Sequence, residues 1–207
     1  LLQVAIVVIA FLVVFKLTSG SKNQYISFAG FTQGTSYRIT YESKDGEQLQ
    51  PAVEKILSDV DHSLSIYNPG SVISKINRNV PDTKTDPMFE EVFRKSAEVN
   101  KNTNGAFDIT VGPIVNAFGF GSSDTLEVDS ALIHNLKQYV GMDKVRLAEG
   151  TLIKSDTNVL LDVNAIAQGY SVDLVARMLE SRGIKNYMVE IGGEIRARLM
   201  TWPPQGP

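Results

Sequence analysis

The sequence predicts an α+β fold, a mixed or antiparallel sheet with packed helices, preceded by an N-terminal apolar helix. Three observations lead there. Apolar residues recur at helical spacing in three separate stretches, from Val53 to Leu64, from Phe89 to Ala97 and from Val172 to Leu179. Around them lie short runs of strand character, the clearest being Tyr37, Ile39 and Tyr41 alternating with Arg38 and Thr40. The two kinds of segment follow one another without a regular βαβ beat, which argues against a parallel doubly wound sheet.

In chain order, residues 1–16 come first. Leu1 to Phe15 is apolar except for Gln3, and Lys16 follows. The run falls short of the roughly 20 residues that span a bilayer, and the chain opens on Leu rather than Met. It reads as the apolar core of a signal peptide, as an uncleaved membrane anchor, or as a buried core helix. The missing small-residue cleavage pattern favours the anchor. Anchor or signal, the expected location is the inner membrane on its periplasmic or extracytoplasmic side, and a chain with no cysteine suits an oxidising compartment. Residues 17–24 form a polar linker, and the domain proper is expected over 25–198.

Tyr25 to Tyr41 reads as β-like, and Lys44-Asp45-Gly46 as a turn with Gly where φ must be positive. Gln48 to Leu64 reads as an amphipathic helix with Pro51 in its first turn, its stripe being Val53, Ile56, Leu57, Val60 and Leu64. Asn68-Pro69-Gly70 ends it as a loop. Asp86 as N-cap and Pro87 at the first helical position start a second helix, with Phe89, Val92, Phe93 and Ala97 inward. Ser130 is expected to cap a short helix carrying Leu132, Ile133 and Leu136, closed by Gly141. Val145 to Leu147 and Leu152 to Lys154 flank Glu149-Gly150 as a hairpin. Val159 to Val163 reads as a strand, leading into a helix from about Ala167 to Arg182 that Gly183 terminates. Tyr187 to Ile191 is a strand, Gly192-Gly193 a turn, and Glu194 to Arg198 the antiparallel return. Residues 199–207 are a Pro-rich irregular tail.

The 207 residues suffice for one domain with a real core, and 43% hydrophobic with 21% charged residues is ordinary for a globular protein. A net charge of −3 with no basic run argues against a nucleic-acid partner. Without cysteine there is no thiol nucleophile, disulfide framework or Cys-ligated zinc site. His62 and His134 lack ligand-spaced partners and read as surface residues. Gly119-x-Gly121 lacks the third glycine and the following helix of a Rossmann fingerprint, and no Gly-Lys-Ser/Thr loop exists.

One stretch resists the periodic reading. Asn104 to Gly121, NGAFDITVGPIVNAFGFG, crowds Gly105, Gly112, Gly119 and Gly121 among three phenylalanines and the lone carboxylate Asp108. Taken alone it is either a buried glycine-kinked connection or a place where backbone approaches a ligand. Tyr67 is likewise either a packed aromatic or a cofactor wall. Asp108 and Asp162 sit in apolar sequence, where a carboxylate needs a partner. Asp173 reads as a solvated helix residue or as part of a site.

Four blocks in order carry a resemblance: Gly34-Thr35-x-Tyr37; Leu64-Ser65-x-Tyr67-x-Pro69-x-Ser71 with Ile76-Asn77; Gly105-Ala106-Phe107-Asp108, Thr110-Val111-Gly112-Pro113 and Gly119-Phe120-Gly121; and Asp162 through Asp173 followed by Ile191-Gly192-Gly193-Glu194. The chain resembles the FAD:protein FMN transferases (flavin transferases, once called thiamine-biosynthesis lipoproteins) over most of residues 30 to 198. The resemblance implies Mg²⁺-dependent transfer of the FMN half of FAD to a Ser or Thr hydroxyl of a target protein, releasing AMP. By position it implies flavin-dinucleotide contacts from Gln33, Tyr67, Ala106, Phe107, Asp108, Asp162 and Gln168, and a metal ligand in the backbone carbonyl of Ala165. Gln33 stands where relatives often carry Met. Gln168 stands where Lys is common, so a neutral donor replaces a cation near the phosphates. Such a reaction needs charge neutralisation at the diphosphate and apolar walls for the isoalloxazine.

Flavin transferases continue past the Gly-Gly-Glu turn into a region with a His-x-x-Asp-Pro-x-x-Gly type motif, which supplies side-chain metal ligands. The chain is therefore expected to be an N-terminal part that alone binds metal poorly and transfers FMN slowly or not at all. A membrane-tethered FAD-binding module without turnover is the alternative, pointed to by Gln168. A ligand-free structural exported domain is the third reading.

Overall fold

The computed structural model describes residues 24–120 and 128–199. The expected anchor over 1–16, all of the linker but Gln24, Gly121 and the tail over 200–207 lie outside the described residues.

Antiparallel hairpins build the main sheet. Gln24–Thr32 (β1) and Thr35–Ser43 (β2) pair through a two-residue turn at Gln33 and Gly34, whose φ values of 49° and 74° are those a type I′ turn demands. The β-like stretch expected from Tyr25 to Tyr41 is thus a pair of strands joined by a tight turn. Tyr187–Ile191 (β5) pairs with β2, and Glu194–Arg198 (β6) returns along β5 through Gly192-Gly193, giving the order β1-β2-β5-β6. One face buries Tyr37, Ile39, Tyr41, Val189 and Ile191. Gln50–Leu64 (α1) and Asn164–Ser181 (α6) cover it with Val53, Leu57, Val172, Val175 and Leu179. Each such side chain removed from water contributes about 1.5–3 kcal/mol.

A second core lies beside the first. It joins the end of α1 to Val72–Asn77 (α2), Pro87–Asn102 (α3) and the hairpin of Val145–Ala148 (β3) and Thr151–Lys154 (β4). Asp86 caps α3 as expected, its carboxylate accepting from Phe89 N at 2.9 Å. Gly112–Ala117 (α4) and Ser130–Lys137 (α5) complete the described elements.

Several expectations need correcting. Val159 to Val163 is not a strand: Leu160 makes one parallel bridge to Val111, and no ladder follows. Helix α6 starts at Asn164, about a turn before Ala167. The cap of α5 is Asp129, whose Oδ1 accepts from Leu132 N at 2.7 Å, with Ser130 inside the helix. In α3 the buried small residue is Ser96, while Ala97 is only half-buried. His62 and His134 are exposed, as expected.

Candidate functional site

The segments that escape the periodic pattern meet at Tyr67. Its ring follows α1 and is 62% exposed, so it is no core aromatic, and its hydroxyl donates to the carbonyl of Phe120 at 2.9 Å. Three hollows share it as a wall. The first, of about 430 Å³, is lined by Pro69, Asn77, Arg78, Gly112, Leu160 and Asp162 among others. The second, of about 390 Å³, lies toward Gln33, Asp61, Asn164 and Gln168. The third, of about 660 Å³, holds Ala106, Phe107, Asp108, Phe120, Asp162, Asn164 and Ala165. All eight residues expected from the resemblance therefore border hollows that meet at one side chain.

Local hydrogen bonds put them there. Gly112 approaches the other wall so closely that a Cβ would stand 2.6 Å from Leu160 O, which explains a glycine at this point of the Gly-rich stretch. Asn77 spends its whole amide on Leu161, donating to its carbonyl at 2.8 Å and accepting from its N–H at 2.8 Å. That side chain does for residues 159–162 what a neighbouring strand would otherwise do. Lys154 works from behind, donating to the carbonyls of Val159 (2.9 Å) and Ile76 (3.1 Å). Burial pushes its ammonium down to about 8, with the nearby charge of Asp156 opposing.

The two carboxylates differ. Asp108 is committed to neighbouring donors: Oδ1 accepts from Thr110 N (2.8 Å) and the Thr110 hydroxyl (2.6 Å), and Oδ2 from Met142 N (3.2 Å). Buried Thr110 in turn accepts from Gly141 N at 2.6 Å. This network fixes the loop bearing Ala106 and Phe107, so Asp108 has its partner within the protein. Asp162 is 8% exposed, and among the described residues its carboxylate finds only Asn164, through its backbone N–H at 2.8 Å and its side-chain amide at 3.3 Å. Burial raises the Asp162 carboxyl above its ordinary range, with the Asn164 bonds opposing.

Gln33 reaches across to α6, donating from Nε2 to Ser171 Oγ at 2.6 Å. Gln168 packs its amide on the β5–β6 turn, where a Cβ on Gly192 would come within 3.0 Å of it. Asp173 resolves as an ion-pair residue, 2.8 Å from Arg196. Sequence reasoning did not single out Asn164, which borders all but the first of the hollows at Tyr67 and holds Asp162; its signals were its place inside the Asp162 to Asp173 block and an Asn two residues after an acid.

The donor set does not fit a divalent cation. Among the described residues no group of three or more His, Asp or Glu is placed to hold one. Ala165 offers at most one neutral backbone carbonyl from the first turn of α6, and the buried Asp162 carboxyl accepts from Asn164. Six oxygen ligands are not assembled from these groups.

The chain is similar in sequence and fold to known proteins. A family model described as ApbE family matches residues 33–205. The chain is 37% identical over 192 residues to a protein of Haemophilus influenzae named FAD:protein FMN transferase, covering 86% of this chain and 55% of that one. It is 34% identical over 187 residues to a Vibrio cholerae protein of the same name, covering 84% and 55%. The solved flavin transferase ApbE from Vibrio cholerae superposes with a TM-score of 0.79 at 33% identity, covering 85% of this chain and 60% of that one. The apo flavinyl transferase ApbE from Pseudomonas stutzeri gives 0.78 at 31%, covering 84% and 58%. The chain thus spans little more than half the length of the curated relatives it matches.

Proposed function

The chain belongs to the ApbE family, and from that premise we propose that it acts as an FAD:protein FMN transferase, holding FAD around Tyr67. The observation that carries this is the convergence of Gln33, Tyr67, Ala106, Phe107, Asp108, Asp162, Ala165 and Gln168 on adjoining hollows. Aromatic and apolar walls at Phe107, Phe120 and Tyr67 suit a flat isoalloxazine, and the exposed backbone of the Gly105–Phe107 loop suits close approach.

In the proposed reaction a Ser or Thr hydroxyl oxygen of a target protein bonds to the phosphorus on the FMN side of FAD. The anhydride bond breaks, AMP leaves with its electron pair, and the hydroxyl proton is released. This chain's residues bind and orient: Asp108 and Thr110 set the loop, Asn77 sets the wall, and Tyr67 separates the hollows. Dependence on Mg²⁺ belongs to the same proposal as a quantity to measure, and no role is routed through the described side chains. The apolar run over 1–16 and the absence of cysteine support membrane tethering on the extracytoplasmic side.

The test mixes the full-length gene product, FAD, Mg²⁺ and a Thr-containing acceptor peptide. A fluorescent, acid-stable flavin–peptide adduct with one AMP released per adduct is expected. FAD binding without adduct or AMP would leave a binding module, and no FAD binding at all would overturn the reading.

A further inference from the structure

We infer that Arg78 is the anion anchor of this site, gripping the diphosphate of a flavin dinucleotide. The inference rests on the functional reading above and adds a residue to it. The case begins with charge. Asp61, Asp108 and Asp162 border the hollows that meet at Tyr67, and Arg78 is the only lysine or arginine bordering them among the described residues. A diphosphate brought beside three carboxylates needs a positive counterpart, and Gln168 offers none.

The geometry supplies that counterpart in a fixed pose. Arg78 is the C-cap residue of α2, one position after Asn77, the side chain that clamps the wall carrying Asp162. Its guanidinium folds back over its own helix, donating from Nε to Ser74 O at 3.2 Å and from Nη2 to Pro69 O. Two of the five N–H donors of a guanidinium are thereby spent, and the rest stay available on the rim of the first hollow. It makes no ion pair among the described residues. A planar, pre-oriented fork with unused donors matches phosphate oxygens better than a mobile ammonium would. The hollow beside it shares Asp162 and Tyr67 with the larger one holding Phe107. A ligand with an anionic centre and a flat ring can therefore lie across both.

Fluorescence titrations with FAD, FMN and riboflavin separate the possibilities, since the three share a ring and differ in phosphate. Arg78→Ala is expected to weaken FAD about 10- to 100-fold, the usual worth of a charge-assisted hydrogen bond. Riboflavin should change less than about twofold. Arg78→Lys should recover part of the loss, and the salt dependence of FAD binding should flatten in Arg78→Ala. Arg78→Gln, which keeps a donor for the Pro69 carbonyl, guards against a folding defect. Equal weakening of FAD and riboflavin would make Arg78 a mere prop of the 69–74 loop and overturn the inference. Unchanged FAD binding would overturn it too. Failure of the unsubstituted protein to bind any of the three would overturn the functional reading first and this one with it.

Discussion

The sheet with its two helices and the lobe that bears the site are held together by different means. Around β2, β5, α1 and α6 the fastening is apolar area, with Ile39, Tyr41, Val53, Val175, Leu179, Val189 and Ile191 all 1% exposed or less. Around residues 105–112 and 159–164, where Ile109, Val159, Leu161 and Val163 are buried as well, the backbone is carried in addition by side chains: Asn77 on Leu161, Asn100 on the carbonyl of Phe107, Asp108 on Met142, Lys154 on Val159. The first kind of fastening is redundant and spread out. The second is a set of single attachments, each pinning one stretch of the site. A loss in the first should lower stability and leave the folded site intact; a loss in the second should damage the site even where the chain stays folded.

The largest expected effect is in the sheet lobe. Leu179→Ala removes a fully buried side chain and should cost about 3 kcal/mol, lowering Tm by roughly 6–12 °C in thermal denaturation. Flavin affinity, measured well below Tm, should stay within about twofold of the unsubstituted protein. A lost site in Leu179→Ala would break the contrast.

Next comes Asn77→Ala, which leaves the Leu161 N–H and carbonyl without partners and should cost about 2 kcal/mol. Here the affinity for FAD should fall about tenfold or more even at temperatures where the variant is fully folded. A Tm change with intact affinity would show that the 159–162 wall stands without its clamp.

The smallest stability effect should come from Asp162→Asn. Burial raises the folded-state pKa of Asp162, so its protonated form is favoured on folding. The stability it contributes is fully present below the unfolded carboxylate pKa and is lost as pH rises through the folded value. Asp162→Asn, which still accepts from Asn164 N, should therefore match or exceed the parent in Tm at neutral pH. The gap should close as pH falls toward about 4. Loss of FAD binding alongside an undiminished Tm is the expected pair; a clear drop in Tm at neutral pH would contradict it.

The same contrast governs how much the chain disclosed in advance. Helices α1, α3 and α6 and the β3–β4 and β5–β6 hairpins announce themselves through periodicity and turn residues, since apolar packing writes a repeat into sequence. The turn that splits β1 from β2 was marked only by Gly34. Short α2 and α4 carry too few turns for a stripe. Val159 to Val163 has strand composition, but its neighbours are the Asn77 amide and the Ile109 carbonyl, far away in sequence, and so no ladder forms. The candidate site residues came from ordered motifs rather than physics: nothing local distinguishes the structural carboxylate Asp108 from Asp162. Arg78 belongs to none of the short motifs that pointed to a cofactor, and Asn164 lies inside the Asp162 to Asp173 block without being singled out there.

Tyr67 gives the site an adjustable capacity. A single ring stands between three chambers, and one bond from its hydroxyl to the Phe120 carbonyl holds it upright. Releasing that bond costs about 1 kcal/mol, far below the binding free energy of a micromolar guest. An arriving molecule can therefore swing the partition aside and merge the rooms into one trough, its shape drawn by the occupant rather than by the walls.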